Sequence, residues 1–384
     1  MNSRQRLLTT LNHKEPDRVP YDFGAASTSG IKLEAYKNLL RYLGRNDLGA
    51  PDLIDRKYQT VLIDYEIAKL ARSDAIGLYP HYSADWQTSI EQTNEGTFLI
   101  DEWGIKYKRL NDGTYVNVEG PLRSVWPTEE FGQINWPQPR DKRRLDRVKV
   151  SINNLSAKNA DLLKVMNFFT QGLFELSTWL IGYEEFLTSL IREPKKACGL
   201  LDRLLELKKI FWSWVFQEVN GSIDVVKQND DLGEKQKPII SPDLYRKYLK
   251  PRHKELHNHI KSQSSDEVFI LFHSDGAILE LIEDFIETGI DILNPIQLSA
   301  KDMDPKTLKE RFGDRLVFWG GGIDVTNELP QFNPQEVKGV VKKRMEILAP
   351  NGGFVFAPTQ SIQTDVPPEN IVAMWDAIED FGEY

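Results

Sequence analysis

Hydrophobic and polar positions between residues 267 and 297 alternate in blocks. The run from Val268 to Phe272 is entirely apolar, which is typical of a strand buried on both faces. Apolar positions then recur at helical spacing until Gly289, and a second apolar run, Ile290 to Leu293, follows. The pattern predicts two strands joined by a helix. The strands are expected to be parallel, because a helical crossover returns the chain to the same end of a sheet.

Similar apolar runs recur along the whole chain, each followed by polar or glycine-rich residues. Further runs of this kind lie at residues 223–226, 316–319 and 354–357, and weaker strand candidates lie at residues 19–23, 75–79 and 167–171. Together with the first two they reach about the eight strands of a closed (β/α)8 barrel of the TIM type. We therefore predict an α/β fold with one barrel domain over residues 1–384. An open doubly wound sheet remains the alternative, because repetition alone does not establish closure.

Two segments depart from this pattern. Residues 97–120 alternate between apolar and polar positions around Asp112 and Gly113, which predicts an antiparallel β-hairpin inserted over a cleft. Residues 127–147 are rich in proline and charge and show no period, so a surface loop is expected there.

Composition limits the classes of partner and compartment. A net charge of −9 argues against nucleic acid or an anionic membrane as the main partner. The single cysteine, Cys198, excludes an internal disulfide and suits a reducing cytoplasm. The first residues lack the apolar core of a signal peptide, and no apolar run reaches the ~18 residues of a membrane span. We expect a soluble, cytoplasmic protein.

Candidate functional residues lie at the strand ends, because the loops after the strands form the active face of such barrels. The candidates for catalysis are Asp231, His273 and Asp275. The candidates for substrate binding are Asp230, Asn294, Gln297, Asp324, Gln360, Trp103 and Trp319. The two tryptophans are proposed to border an aromatic substrate, although most tryptophans serve packing.

Several of these residues also have a structural interpretation. His273 could simply hydrogen-bond at its strand end, although its place on the presumed active rim favours function. Asp275 suits helix capping as well as metal ligation. Of Asp230 and Asp231, one is expected to anchor the loop backbone and the other to face the cleft. Gln297, Asp324 and Gln360 could likewise serve structure.

A separate group of histidines, at positions 253, 257 and 259, has spacing that suggests a metal site. Their charged neighbours favour a solvated helix face instead, and the sequence is not HExxH.

Taken together, these segments resemble the uroporphyrinogen decarboxylase superfamily, which includes the cobalamin-linked methyltransferases. The matching segments are EPDRVP (15–20), DEWGIKYK (101–108), NDDLG (229–233), FHSDG (272–276), DILNPIQ (291–297), WGGGID (319–324) and DVPPEN (365–370). The resemblance runs over most of the chain and implies a (β/α)8 barrel.

Departures from the family pattern bear on the reaction. The true decarboxylases carry an arginine-rich motif that binds substrate carboxylates, and residues 21–30 contain no arginine at the corresponding place. Zinc-dependent members of the methyltransferase branch use a histidine and two cysteines. Here His273 is kept, while Asp275 and Gln360 stand where the cysteines would be. Nitrogen and oxygen ligands also hold zinc, and without thiolates the metal is a stronger Lewis acid.

The resemblance therefore implies a corrinoid-dependent methyltransferase with zinc at His273, Asp275 and Gln360. The methyl donor would be a small molecule, such as a methoxylated aromatic undergoing O-demethylation. The acceptor would be the Co(I) corrinoid of a separate protein, because this chain shows no corrinoid module. The alternatives are a uroporphyrinogen-type decarboxylase and a non-catalytic small-molecule binding barrel. A homodimer is one candidate for the assembly of this protein.

Overall fold

The structure is a computed structural model that describes residues 1–82, 89–124, 126, 135–219 and 221–384. Its strands are β1 (Leu53–Asp55), β2 (Thr60–Val61), β3 (Ala75–Leu78), β4 (Ser89–Thr93), β5 (Gly96–Ile100), β6 (Lys106–Arg109), β7 (Tyr115–Glu119), β8 (Leu163–Met166), β9 (Val225–Asn229), β10 (Phe269–His273), β11 (Ile292–Asn294), β12 (Val317–Trp319) and β13 (Phe354–Val355).

The α-helices are α1 (Ser3–Leu11), α2 (Leu33–Tyr42), α3 (Tyr65–Leu70), α4 (Asp146–Ala157), α5 (Leu173–Ile181), α6 (Tyr183–Arg192), α7 (Pro194–Val219), α8 (Pro242–Leu244), α9 (Lys250–Gln263), α10 (Ile282–Glu287), α11 (Pro305–Phe312), α12 (Glu328–Gln331), α13 (Pro334–Leu348) and α14 (Pro368–Phe381). Three short 3₁₀ turns and one π-helical turn, Tyr245–Leu249 before α9, complete the regular elements of the described residues.

Seven parallel strands form the central sheet, in the order β13-β12-β11-β10-β9-β8-β3. Residues 20–22 fill the gap between its two edges. Tyr21 forms a parallel bridge with Phe356 beside β13, and its carbonyl accepts a hydrogen bond from the amide of Asp74 just before β3. This short segment therefore closes the sheet. The predicted TIM-type barrel is confirmed, and the open doubly wound sheet is wrong.

Alternation along the strands separates two apolar cores. Side chains such as Leu163, Val225, Leu271 and Val317 fill the barrel interior, while their neighbours along each strand pack against the surrounding helices. Leu7 and Leu11 of α1 join the interior cluster, so this helix closes the amino-terminal end of the barrel. The carboxyl-terminal end is left for the site.

The strand predicted at residues 167–171 is wrong by four positions, because β8 occupies Leu163–Met166. Leu163 and Val165 are the residues that face the barrel interior. Phe168 and Phe169 lie beyond the strand and line a cavity instead. These two phenylalanines therefore line a cavity and do not belong to the sheet.

The antiparallel insertion is confirmed, and it is larger than a hairpin. Strands β4 to β7 form a four-stranded antiparallel sheet, with the predicted turn at Asp112 and Gly113 between β6 and β7. Of the predicted surface loop at 127–147, residues 127–134 lie outside the described part of the chain. The surface prediction is wrong for Arg144, which is fully buried and whose charge is balanced by Glu102 at 2.7 Å.

No helix in the described residues is both long and apolar enough to cross a membrane.

Candidate functional site

A cavity of about 430 Å³ lies at the carboxyl ends of the barrel strands. Four of the predicted residues line it: His273 at the end of β10, and Asp231, Asp275 and Gln360 in the loops after β9, β10 and β13. The loop before α2 contributes Ser27 and Thr28 to the same lining. Segments far apart in sequence thus converge on one space, as expected for the active face of a barrel.

Two glycines allow the loops after β9 and β10 to approach each other. A Cβ added at Gly276, where φ is +89°, would lie 2.3 Å from the backbone of Gly233. The amide of Ala277 donates to the carbonyl of Glu234 at 2.7 Å and joins the loops. This close packing brings the carboxyl groups of Asp231 and Asp275 to the same side of the barrel mouth.

These two carboxyl groups meet the ring of His273, the last residue of β10. Its Nε2 lies 3.6 Å from Asp231 Oδ1 and 3.8 Å from Asp275 Oδ2. One ligand atom from each of the three residues lies within 4.8 Å of the others. We call Asp231, His273 and Asp275 the acid–imidazole cluster.

Asn294 fixes the histidine ring of this cluster. Strand register places Asn294 beside His273, and His273 Nδ1 donates to Asn294 Oδ1 at 2.6 Å. The amide nitrogen of Asn294 donates to the carbonyl of Trp319 at 2.5 Å, which sets the amide orientation. Since Nδ1 carries the proton, Nε2 presents its lone pair to the two carboxyl groups.

Burial governs the protonation of the cluster. It lowers the pKa of His273 to about 3, with the ammonium of Lys227 acting in the same direction. Burial also raises the pKa of Asp231 to about 6, and it raises the pKa of Asp275 well above its usual range, with the charge of Asp231 adding to this effect. Two acids that resist ionisation beside a neutral imidazole form a site in which a bound cation would replace protons.

The cluster fits a divalent metal ion. Tetrahedral zinc with bonds of about 2.0–2.2 Å places its ligand atoms about 3.3–3.6 Å apart, close to the observed separations. Asp275 Oδ1 is buried and has no hydrogen-bond partner in the described residues, so one carboxyl oxygen is available for a ligand bond. The donor set of one imidazole and two carboxyl groups suits zinc and related ions.

Zinc at the predicted residues His273, Asp275 and Gln360 stays a prediction. The amide nitrogen of Gln360 donates to Asp275 Oδ2, which leaves its amide oxygen as the atom that could bind a metal. Asp231 is a further candidate ligand, because its carboxyl group lies in the cluster. Asp275 does not cap a helix, since the residue preceding the next turn is Ile278.

The structure separates the roles of the two adjacent acids. Asp230 is fully buried, accepts from the amides of Phe174 and Glu175 at the start of α5, both at 2.8 Å, and pairs with His253 at 3.0 Å. It anchors a helix, so its assignment to substrate binding is wrong. Asp231 is the acid that faces the cavity.

Four other predicted substrate residues do not line this cavity. Asn294 lies buried behind His273 and positions it. Asp324 accepts from the amides of Thr326 and Asn327 and orders the turn before α12. Trp319 is fully buried in the barrel, where its indole donates to Asp22 at 2.7 Å. Gln297 follows β11 and does not line the cavity, and its buried Oε1 has no hydrogen-bond partner among the described residues.

Trp103, predicted to border an aromatic substrate, does not line this cavity but lies in a neighbouring one, and its role stays a prediction. A second cavity of about 840 Å³ shares Phe168 and Gln171 with the first and is also lined by Trp103 and Trp179. We call this space the outer chamber and the smaller one the inner cavity. Aromatic side chains therefore line the space next to the inner cavity.

Sequence reasoning missed Lys227 and Glu175 in the inner cavity. Lys227 is fully buried, and burial lowers its pKa to about 7; burial raises the pKa of Glu175 well above its usual range. The alternation of β9 carried a signal, because Val225 faces the interior and Lys227 follows at a spacing of two.

The histidines of α9 are structural, although two of them are not on a solvated face as expected. His253 and His257 are buried. His253 bonds to Asp230 and to the hydroxyl of Tyr245, and His257 bonds to Thr288.

Comparison with solved structures finds 56 significantly similar chains. A methyltransferase from Methanosarcina mazei aligns with a TM-score of 0.68 and 18% identity over 99% of both chains. Weaker likenesses include a β-glucosidase from Pyrococcus furiosus, at a TM-score of 0.43 and 10% identity over 95% of this chain and 96% of that one. A glycoside hydrolase family 5 enzyme from Prevotella bryantii gives 0.37 and 11% over 62% and 77%. The first likeness supports the barrel fold. The other two have TM-scores below 0.5 and are too weak to support a conclusion about this chain.

No curated protein sequence matches the chain significantly. The sequence model of the family described as Uroporphyrinogen decarboxylase (URO-D) matches residues 99–381, which is most of the chain. The protein therefore belongs to the uroporphyrinogen decarboxylase family.

Proposed function

We propose that this protein is a corrinoid-dependent methyltransferase. It would transfer a methyl group from a methoxylated aromatic compound to the Co(I) corrinoid of a separate protein. The observation that carries the proposal is the acid–imidazole cluster, which gathers nitrogen and oxygen ligand atoms in a cavity at the barrel mouth. The likeness in fold to a methyltransferase supports the same reaction class.

An ether-linked methyl group leaves slowly because alkoxide and phenoxide are poor leaving groups. A divalent ion held by Asp231, His273 and Asp275 would act as a Lewis acid on the donor oxygen. Asn294 keeps His273 Nε2 directed at this position, and Gln360 holds Asp275 from the other side. The chain thus supplies a preorganised site at which negative charge can develop.

The lining of the two cavities fits an aromatic donor. Phe168 borders both cavities, and Trp103 and Trp179 line the outer chamber. Cys198, on α7, lines neither of them. A site with oxygen and nitrogen ligands and aromatic walls suits an ether oxygen better than a thiol.

Decarboxylation of a porphyrinogen is the second candidate. The family match favours it, as do the cations Lys57, Arg143 and Arg147 in the outer chamber, which could meet substrate carboxylates. The inner cavity argues against it, because Asp231 and Asp275 would face those carboxylates there. A non-catalytic binding barrel is the third candidate.

The test combines metal analysis with methyl-transfer assays. The purified protein, loaded with zinc, is incubated with a Co(I) corrinoid protein and a panel of methoxyarenes, and the demethylated phenol is measured. We expect turnover by the native protein and by the control variant His259→Ala, whose histidine lies away from the cavity, bonded to Ser213. His273→Ala should lose both zinc and turnover while remaining folded.

Absence of turnover across a broad donor panel would contradict the proposal. Conversion of uroporphyrinogen to coproporphyrinogen would instead identify a decarboxylase. Binding of a methoxyarene by the native protein, without turnover of any donor or of uroporphyrinogen, would identify a binding barrel.

A further inference from the structure

A buried ammonium group lies in the inner cavity without a carboxylate partner. Lys227 on β9 has no exposed surface, and its Nζ donates to Ser27 Oγ at 2.7 Å and to Thr28 Oγ1 at 3.1 Å. It also lies 5.3 Å from the ring centre of Phe168. Among the described residues, no carboxyl oxygen lies within 4.0 Å of this Nζ. Its direct hydrogen-bond partners are therefore neutral hydroxyl groups.

Such an arrangement is unfavourable unless a ligand completes it. An ammonium group that is removed from water without a counter-ion loses its hydration, and neutral hydroxyl groups restore only part of it. Burial accordingly lowers the pKa of Lys227 to about 7, although Asp22, Glu175, Asp231 and Asp275 interact with it through space in the opposite direction. Arg144, which is equally buried, is balanced by two contacts with Glu102, at 3.0 and 2.7 Å.

The two hydroxyl groups that bond to Lys227 differ in whether their own hydrogens have an acceptor. Thr28 donates to Asn294 Oδ1 at 2.9 Å, so its hydrogen is used within the protein. Ser27 Oγ accepts from Lys227, and no acceptor for its hydrogen exists among the described residues. Ser27 is partly exposed and lines the inner cavity. The pair therefore presents a hydrogen-bond donor, backed by a positive charge, to whatever occupies the cavity.

This pair adjoins the acid–imidazole cluster. A chain of hydrogen bonds runs from Lys227 Nζ to Thr28 Oγ1 at 3.1 Å, from Thr28 to Asn294 Oδ1 at 2.9 Å, and from there to His273 Nδ1 at 2.6 Å. If a divalent ion balances the charges of Asp231 and Asp275, Lys227 carries the remaining positive charge near it. An oxygen anion in the cavity would neutralise that charge.

We propose that Ser27 and Lys227 form an oxyanion subsite that receives the oxygen of the departing phenol and supplies its proton. This inference rests on the proposed methyl transfer and specifies its leaving group. The carbon–oxygen bond of the donor breaks and leaves its electron pair on oxygen, while an electron pair from Co(I) forms the carbon–cobalt bond. The oxygen then takes the hydroxyl hydrogen of Ser27, and Ser27 recovers one from the ammonium of Lys227. The amine regains its proton from water, and the product leaves as a neutral phenol.

The first test measures binding alone. The native protein is freed of metal with EDTA and titrated with para-nitrophenol, whose phenol and phenolate forms absorb at different wavelengths. We expect the bound probe to ionise about one pH unit or more below the free probe, because a cation within a few ångströms favours the anion. Lys227→Met should abolish this shift, and Ser27→Ala should reduce it.

Lys208→Met is the matched control. Lys208 is also buried, but it donates to the backbone carbonyl of Thr170 and lines neither cavity. This variant should keep the full shift of the bound probe. Equal shifts in the native protein and in Lys227→Met, or no binding of the probe to the native protein, would overturn the inference. Because this titration uses neither metal nor corrinoid, its outcome is independent of whether methyl transfer occurs.

The second test compares leaving groups during turnover. With a plain methoxyarene, Lys227→Met should lose about 10²–10⁴-fold in rate, the range contributed by a positioned proton donor. With a nitro-substituted methoxyarene the loss should be much smaller, because that phenolate leaves without a proton. A purely structural role of Lys227 would slow both donors equally, and that result would reject proton donation.

Discussion

The two ends of the barrel bury charge in opposite ways. At the amino-terminal end, Asp74 is fully buried and accepts from Arg6 at 2.6 Å and from Arg18 at 2.8 and 3.0 Å. At the carboxyl-terminal end, Lys227 is equally buried but bonds only to hydroxyl groups, and Asp275 Oδ1 has no donor within the described residues. The buried charge at the amino-terminal end has oppositely charged partners, whereas the buried charge of Lys227 at the carboxyl-terminal end has none in direct contact.

This difference shows why burial of charge alone does not identify a functional site. Asp74 also accepts from the amide of Tyr21 at 3.0 Å, so it ties the closing segment of the barrel to helix α1. Its environment supplies what a buried carboxylate needs for stability. The groups of the inner cavity lack such partners, and a metal ion or substrate would have to supply them. Incomplete pairing is the property that separates binding sites from structural ion pairs.

The largest expected effect is the loss of stability when the ion-pair network at the amino-terminal end of the barrel is broken. Asp74→Ala leaves Arg6 and Arg18 without their buried partner, so the free energy of unfolding should fall by about 3–5 kcal/mol. Urea denaturation measures this change in the free energy of unfolding. Asp17→Asn removes the more exposed partner of Arg6 and should cost less than about 1 kcal/mol. Comparable losses of unfolding free energy in Asp74→Ala and Asp17→Asn would show that the strength of these ion pairs does not depend on burial.

The next effect concerns the support of His273. Asn294→Ala removes the acceptor that orients the ring, so zinc affinity should fall by about 10–100-fold, as for other partners of metal-bound histidines. Isothermal titration measures the affinity. Gln363→Ala is the control, since Gln363 lines the same cavity but bonds to the carbonyl of Ser361. An unchanged affinity in Asn294→Ala would mean that the ring is held by other contacts.

A third effect is the dependence of zinc binding on pH. The pKa of Asp231 is raised to about 6, so this acid is protonated below that value and must release its proton to bind metal. The pKa of His273, at about 3, leaves its imidazole neutral throughout the same range. Zinc affinity should therefore fall by at least about tenfold from about pH 7 to about pH 5. Constant affinity over this range would contradict the assignment of Asp231 as a ligand.

The smallest effect is a gain in stability. The folded state raises the pKa of Asp231 from 3.8 to about 6, so it binds that proton more tightly than the unfolded chain. Ionisation therefore costs stability as pH rises from about 4 to about 6, and the cost persists above that range. In metal-free protein near pH 7, Asp231→Asn should raise the free energy of unfolding by about 1 kcal/mol, allowing for its partial exposure.

Thermal denaturation in EDTA, at about pH 7 and about pH 4, checks the sign of this effect. The gain should vanish at the lower pH, where the native acid is already protonated in the folded state. A loss of stability at about pH 7 would show that the Asp231 carboxylate is compensated within the metal-free protein.

Sequence pattern located the end of the barrel at which polar residues gather. Asp231, His273, Asp275 and Gln360 lie at or shortly after strand ends, and the structure brings all four into one cavity, while their roles stay predictions. The pattern failed for residues such as Asp230 and Asp324, which also follow strands but whose carboxyl groups bind backbone amides. Adjacent positions after a strand face different directions, and the conformation of the loop decides which of them meets the cavity.

The closing segment of the barrel shows another limit. The pattern predicts a strand at residues 19–23, whereas the structure has only a parallel bridge there, between Tyr21 and Phe356. Local pattern cannot give the number of ladder hydrogen bonds, because those depend on the partner strand and its register.

The sequence by itself determined the succession of strands and helices, since apolar periodicity is set by neighbours along the chain. It also determined which acids, amides and imidazoles were available at the barrel mouth. Only the tertiary structure decided which charges are paired, because a counter-ion can come from any part of the chain. Lys227 and Ser27 stand 200 positions apart and meet at 2.7 Å, and Asp74 meets Arg6 across 68 positions. Burial and pairing are three-dimensional properties, and they distinguish the closed end of this barrel from its proposed site.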